Sequence, residues 1–150
     1  MIHQVVVMLN EMTGLEFMQA VIDGEVPYKG ITQAIDMKFS KISDGYAEVE
    51  GCYDHSVDNF MGTVHGGVFA TILDTAMGNA VVSKLNKGES FGTVELDIKL
   101  IRPIPHHQKM IACGEVKSMT SRLAVVEGNL KDEAGKLYAT GSCLCMIHRQ

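Results

Sequence analysis

With 150 residues, 46% of them apolar, the chain has enough apolar material for one core that folds unaided, and no linker or repeat divides it. Its 18 acidic residues outnumber 13 basic ones, a net charge of −5. The basic residues are scattered, which excludes a nucleic-acid surface and leaves any anionic ligand dependent on a local basic pocket.

The opening stretch, MIHQVVVMLNEM, places no Lys or Arg ahead of its apolar run and is interrupted by Glu11. It reads as neither a signal peptide nor a membrane span, so no membrane partner and a cytoplasmic location are expected. Apolar residues at Leu9, Met12, Leu15, Met18 and Ile22 keep the spacing of an amphipathic helix, which Gly24 and Pro27 stop. Ile31, Ile35, Met37 and Phe39 then alternate with Thr32, Asp36, Lys38 and Ser40, the pattern of a half-buried strand. Asp44-Gly45 turns the chain into a return strand, Tyr46 to Tyr53. A helix follows over Val68 to Ser83, apolar or small on most sides and so expected to be wrapped by a sheet. Thr93 to Ile101 reads TVELDIKLI and is expected to bury Val94, Leu96, Ile98 and Leu100 before Pro103 ends it. Two more strands are expected at Lys109 to Ser118 and Arg122 to Lys131, and Asp132-Glu133-Ala134-Gly135 turns into a last one, Lys136 to Ile147. The order α, β, β, α and then four strands in hairpins predicts an α+β fold, an antiparallel sheet of about six strands around one long central helix.

Several candidate motifs have ordinary explanations. Cys52, Cys113, Cys143 and Cys145 include no C-x-x-C pair and read as buried reduced thiols, Cys143 and Cys145 on one face of a strand. Gly88-Glu89-Ser90-Phe91-Gly92 matches G-x-S-x-G, but the nucleophile elbow needs a strand before it and a helix after it, and here the order is reversed. His106-His107 follows Pro105 with no second ligand cluster at a recognisable spacing, so it is expected to be a solvated turn and no metal is expected. His3, His55 and His148 read as lone surface or strand-end residues.

Two features resist such explanations. His65-Gly66-Gly67 puts glycines where a helix starts, and the unpaired N–H groups there carry the positive end of the helix dipole. A ligand can approach such a backbone closely, and the site suits an oxyanion forming on an acyl carbonyl. Asp74 places a carboxylate among Ile72, Leu73, Ala76, Met77, Ala80 and Val81, which costs several kcal/mol unless it is paired. It lies about 12 Å along the helix from Gly66 and cannot serve a carbonyl held there. A second copy, antiparallel across a two-fold axis, would bring its Asp74 to this Gly66. A tight strand-to-helix junction and a satisfied structural Asp are the plainer alternatives.

The set Asn59-x-x-Gly62-Thr63-x-His65-Gly66-Gly67, then Asp74, then the Thr93 to Pro103 strand ending in L-I-R-P, resembles the hotdog-fold acyl-CoA thioesterases of the PaaI-like, phenylacetate-degradation branch. The resemblance covers roughly residues 30–148 of a single domain, 1–150, with the N-terminal helix of about 9–22 either capping the acyl pocket or lengthening the fold. It implies a homo-oligomer, a dimer or dimer of dimers, that hydrolyses an acyl- or aryl-CoA to free acid and coenzyme A without a metal or redox cofactor. By position, Gly66 donates its N–H to the thioester oxygen, Asn59 and His65 shape that side of the site, Asp74 acts as base or nucleophile, and Thr93 helps hold the water. Gly67, Phe60, Met61, Met77, Arg102 and Arg122 are the expected substrate-binding residues; Met12 is a further candidate for the apolar pocket, and Lys109 for the coenzyme phosphates. A non-catalytic acyl-CoA-binding protein and a hotdog enoyl-CoA hydratase or dehydratase are the rival readings.

Overall fold

The computed structural model describes Met8, residues 10–26 and residues 30–149. Leu9 of the expected first helix, Pro27 that was to stop it, and His3 lie outside the described residues. The first helix is not continuous. Met8, Asn10 and Glu11 are helical, and a new helix, α1, runs Gly14–Ile22. The break has a local cause: Thr13 Oγ1 accepts from Glu16 N–H at 3.3 Å, and the Glu16 carboxylate accepts from Thr13 N–H at 2.8 Å. This capping box satisfies two N-terminal donors and so starts a helix of its own.

The expected strand at Ile31 is also corrected. Ile31–Ala34 forms a single helical turn, α2, closed by Ile35 N–H to Ile31 C=O, and extended backbone begins only after Asp36, whose φ is 40°. Strand β1 is Met37–Ser43 and β2 is Tyr46–Cys52, joined at the expected Asp44-Gly45 turn by the Ser43–Tyr46 pair. The long helix α3 spans Gly66–Val82. Four strands follow: β3 Ser90–Leu100, β4 Lys109–Met119, β5 Leu123–Asp132 and β6 Leu137–His148.

The six strands form one antiparallel sheet in the order β1-β2-β4-β5-β6-β3. The expected hairpin between β3 and β4 does not form. Helix α3 carries the chain across the inner face of the sheet, so β3 enters at the far edge beside β6 and β4 returns to pair with β2. Val94, Leu96 and Leu100 are therefore exposed, at 54%, 39% and 54%, rather than buried. A register shift between Thr93 and Glu95 also breaks the simple alternation, leaving Ile98 half-buried against the core.

The sheet wraps α3 as its composition requires: Val68, Phe69, Ile72, Leu73, Ala76, Met77, Ala80 and Val81 are all buried. The close approach of helix to sheet depends on Gly114, Gly128 and Gly141, which stand in register on β4, β5 and β6. A Cβ at those positions would come within 2.5 Å of Met77 Cα, 2.9 Å of Met77 Cγ and 3.2 Å of Met77 Cε. The three glycines form a trough for Met77, whose burial contributes about 1.5–3 kcal/mol.

Helix α1 packs through Phe17, Met18 and Ala20 on a second apolar cluster that includes Phe39, Ile42 and Val82. Gly14 donates its N–H to Leu85 C=O, and a Cβ there would overlap Val82 O at 1.7 Å. The helix thus sits at the C-terminal end of α3, about 24 Å by helical rise from the Gly66 of its own chain. Among the described residues no helix is long and apolar enough to cross a membrane.

Candidate active site

At the start of α3, His65 is the N-cap. Its Nδ1 accepts from Gly67 N–H at 2.8 Å, which fixes the proton on Nε2, and its carbonyl accepts from Val68 N–H. Gly66 N–H is left without an acceptor among the described residues. The preceding loop is folded by Asn59, whose Oδ1 accepts from Met61 N–H at 2.8 Å and whose Nδ2 donates to Thr63 Oγ1 at 3.0 Å. Both ends of that amide are used within the turn, so Asn59 shapes the loop by holding Thr63 and the approach to Gly66. Asn59, Thr63, Val64, Gly66, Phe69, Leu100, Ile101, Arg102 and Pro103 line an open cleft of about 310 Å³. Arg102 is anchored in it, donating through Nη1 to Leu137 C=O and through its backbone N–H to Tyr138 C=O.

Two turns further along α3, Asp74 is half-buried rather than sealed in the core. Thr93 on β3 donates its hydroxyl to Asp74 Oδ1 at 3.1 Å, which answers part of the desolvation cost while the rest of the carboxylate faces the open side of the helix. Behind Thr93, Cys145 Sγ lies 3.9 Å from its Oγ1 and 3.7 Å from Cys143 Sγ, both thiols free and buried as expected, whereas Cys52 is exposed and Cys113 half-buried. The hydrogen bond to Cys145 raises the Cys143 pKa first, with burial and the nearby Asp74 charge acting in the same direction, so that thiol stays protonated. The open side of α3 is polar along its length: Thr71, Thr75 and Asn79 bond back to the carbonyls of Gly67, Thr71 and Thr75. The chain therefore holds two candidate half-sites, an N–H in a cleft with no acceptor among the described residues and a hydroxyl-supported carboxylate, about 12 Å apart on one helix.

The family model of the thioesterase superfamily matches residues 61–139, which contain both half-sites. The chain belongs to the thioesterase superfamily. An inferred esterase from Halobacterium salinarum is 31% identical over 113 residues, covering 72% of this chain and 74% of its own. The PaaI protein of the Escherichia coli phenylacetic acid degradation operon superposes with a TM-score of 0.79 at 18% identity, covering 91% of this chain and 96% of its own. A Bacillus halodurans protein solved with coenzyme A superposes with a TM-score of 0.74 at 29% identity, covering 87% and 86%. The fold is thus the hotdog fold of PaaI-like type, and the protein is a thioester hydrolase.

Within this thioesterase the other expected site residues scatter. Gly67 is spent on the His65 cap, and Phe60 and Met61 stand exposed at the tip of the Asn59 turn. Met77 is wholly buried in the glycine trough and lines neither half-site. Arg122 lies in a separate groove with Leu123, Met146 and Arg149, and Met12 in another between α1 and β1. Lys109 is paired with Glu50 at 3.0 Å and Glu133 at 3.6 Å. Ser90 opens β3 after a turn, so strand and not helix follows it. Sequence reasoning missed Phe69, Leu100 and Ile101 as cleft residues; the only signal for Leu100 and Ile101 was the apolar run into the L-I-R-P stretch, and Phe69 gave none. It also missed that His106 is no solvated turn residue and His55 no lone one: both bond to Asp58, through His106 Nε2 at 2.6 Å and His55 Nδ1 at 2.8 Å.

Proposed function

We propose that this thioesterase hydrolyses an acyl- or aryl-CoA to the free acid and coenzyme A in a site completed by a second copy of the chain. The observation that carries the reading is the pair of half-sites. Gly66 N–H supplies the positive end of α3 to the thioester oxygen as it gains charge, a preorganised donor of the kind that dominates acyl transfer. Asp74 of the opposite copy acts as general base on water, or as nucleophile, with Thr93 Oγ1 fixing the carboxylate and reaching the same water. Arg102 sits at the cleft mouth where an anionic group of the coenzyme would pass. The reaction needs no metal or redox cofactor, and its setting is the cytoplasm.

The edge strand supports the two-copy site. β3 is 11 residues long and presents Val94, Leu96 and Leu100 to solvent, with Ile101 exposed just past its end; its outer edge has no partner among the described residues, and pairing with a second β3 would cover it. Two-fold pairing there sets the two α3 helices antiparallel, and a dimer of dimers extends it. A panel of acyl-CoAs assayed with a thiol-detecting reagent tests the reading. Release of coenzyme A is the expected outcome; binding without release would make the protein an acyl-CoA-binding module, and hydration of enoyl-CoA without thiol release would make it a hydratase.

A further inference from the structure

We infer that His55, Asp58 and His106 form a binding site for a divalent transition cation of the zinc class, separate from the thioester site. His55 Nδ1 lies 2.8 Å from Asp58 Oδ2, and His106 Nε2 lies 2.6 Å from Asp58 Oδ1. The three ligand atoms all fall within 4.8 Å of one another. Two imidazole nitrogens and one carboxylate oxygen are the donor set of zinc, cobalt and nickel, whereas magnesium and calcium prefer oxygen alone.

Two of the three side chains are held in place, with Asp58 exposed by 12% and His106 by 21%, while His55 is 71% exposed at the start of a short 3₁₀ turn. Zinc sits about 2.0–2.2 Å from such ligands, which sets neighbouring ligand atoms a little over 3 Å apart. Admitting the ion therefore asks the two contacts to the Asp58 carboxylate, now 2.8 Å from His55 and 2.6 Å from His106, to open by about half an ångström or more, and the exposed His55 is free to move. Three protein ligands leave coordination positions for water. His107, with its ring 6.3 Å from that of His55, keeps a third imidazole beside the site.

The cluster joins two loops that are also bonded through their backbones, His107 N–H donating to Tyr53 C=O at 2.8 Å. Asp58 stands in the loop leading to α3, where Val57 C=O accepts from His65 N–H and Asp58 bridges to Val64. His106 stands in the loop that follows Ile101 to Pro103 of the cleft. An ion held between them staples both walls of that cleft at their base without touching Gly66 or Asp74.

The test uses the full chain stripped by dialysis against a chelator and titrated with zinc in competition with a chromogenic chelator. One equivalent per chain is expected, with affinity at least about tenfold weaker in His55→Gln and in His106→Asn. Zinc should also raise the Tm of the parent and not of the two variants. Cobalt in place of zinc should give visible bands without a thiolate charge-transfer band. Because His55 is exposed, His55→Gln keeps the measurement decisive even where His106→Asn unfolds. Less than one equivalent bound, binding unchanged in a folded His55→Gln, or a thiolate band pointing to Cys52 would overturn the site. None of these readouts depends on turnover, so the inference stands or falls apart from the hydrolase reading.

Discussion

Asp74 and Gly66 were legible in the sequence because each breaks a local rule. A carboxylate among Ile72, Leu73, Ala76 and Met77 is costly, and paired glycines are poor helix starters, so both demand a reason outside helix propensity. In the sequence Phe69, Leu100 and Ile101 read as ordinary core residues, and nothing in their order separates a cleft wall from a buried wall. His55, Asp58 and His106 were hidden for a different reason: His106 stands 48 residues from Asp58, and only the fold closes that gap. At this scale the decisive substitution is Asp74→Asn, nearly isosteric and still able to accept from Thr93 Oγ1. It should lower kcat by about 10² to 10⁴, the usual range for a positioned general base, while the Tm stays close to the parent's. Near-full turnover in a folded Asp74→Asn protein would remove Asp74 from the chemistry.

Among the elements, hairpins with a turn signal were legible and isolated apolar residues were not. Asp44-Gly45 and Asp132 to Gly135 marked their turns, but Ile31 and Ile35 mimic alternation by standing four apart, which suits one helical turn as well as a strand. The exposed face of β3 was misjudged since periodicity reports two faces without saying whether the outer edge has a neighbour. The turn between β5 and β6 offers its own test. Asp132 is buried, and its carboxylate accepts from Lys136 N–H at 2.9 Å, Gln108 Nε2 at 3.0 Å and Tyr138 Oη at 3.3 Å. The Lys136 backbone bond foremost holds its pKa below the ordinary value. A depressed folded-state pKa gives stability that is complete above the ordinary carboxylate value, about 4, and is lost as pH falls through the lower folded value. The Tm gap between the parent and Asp132→Asn should be widest near pH 7 and narrow toward pH 3. A gap that stays constant across that range would mean the charge of Asp132 contributes nothing.

At the scale of the molecule, the proposal that each site is split between two chains can be tested by complementation. Asp74→Ala and Gly66→Pro should each abolish thiol release. Proline suits the first helical position, and His65 already has φ −61° and ψ 140°, the extended backbone that a residue before proline prefers. Unfolded and refolded together in equal amounts, half the dimers are mixed, and each mixed dimer has one site with both lesions and one with neither. Activity should return to about a quarter of the parent's by random pairing about a two-fold axis. Mixed dimers seen by mass spectrometry without any thiol release would show that Gly66 and Asp74 do not meet.

The placement of β3 also governs when the carboxylate is set in position. Thr93, which fixes Asp74, is seated on β6 beside Cys145, its neighbour in the sheet but 52 residues later in the chain. Such a pairing is slow to form, because the loop between must be ordered before the contact repays it. During synthesis α3 and β3 exist while the strand they need does not, so the apolar edge waits exposed and the Thr93–Asp74 pair is assembled last. In a refolding experiment, recovery of turnover should therefore trail the recovery of helical signal, and shortening the chain before Leu137 should cost β3 its place along with β6.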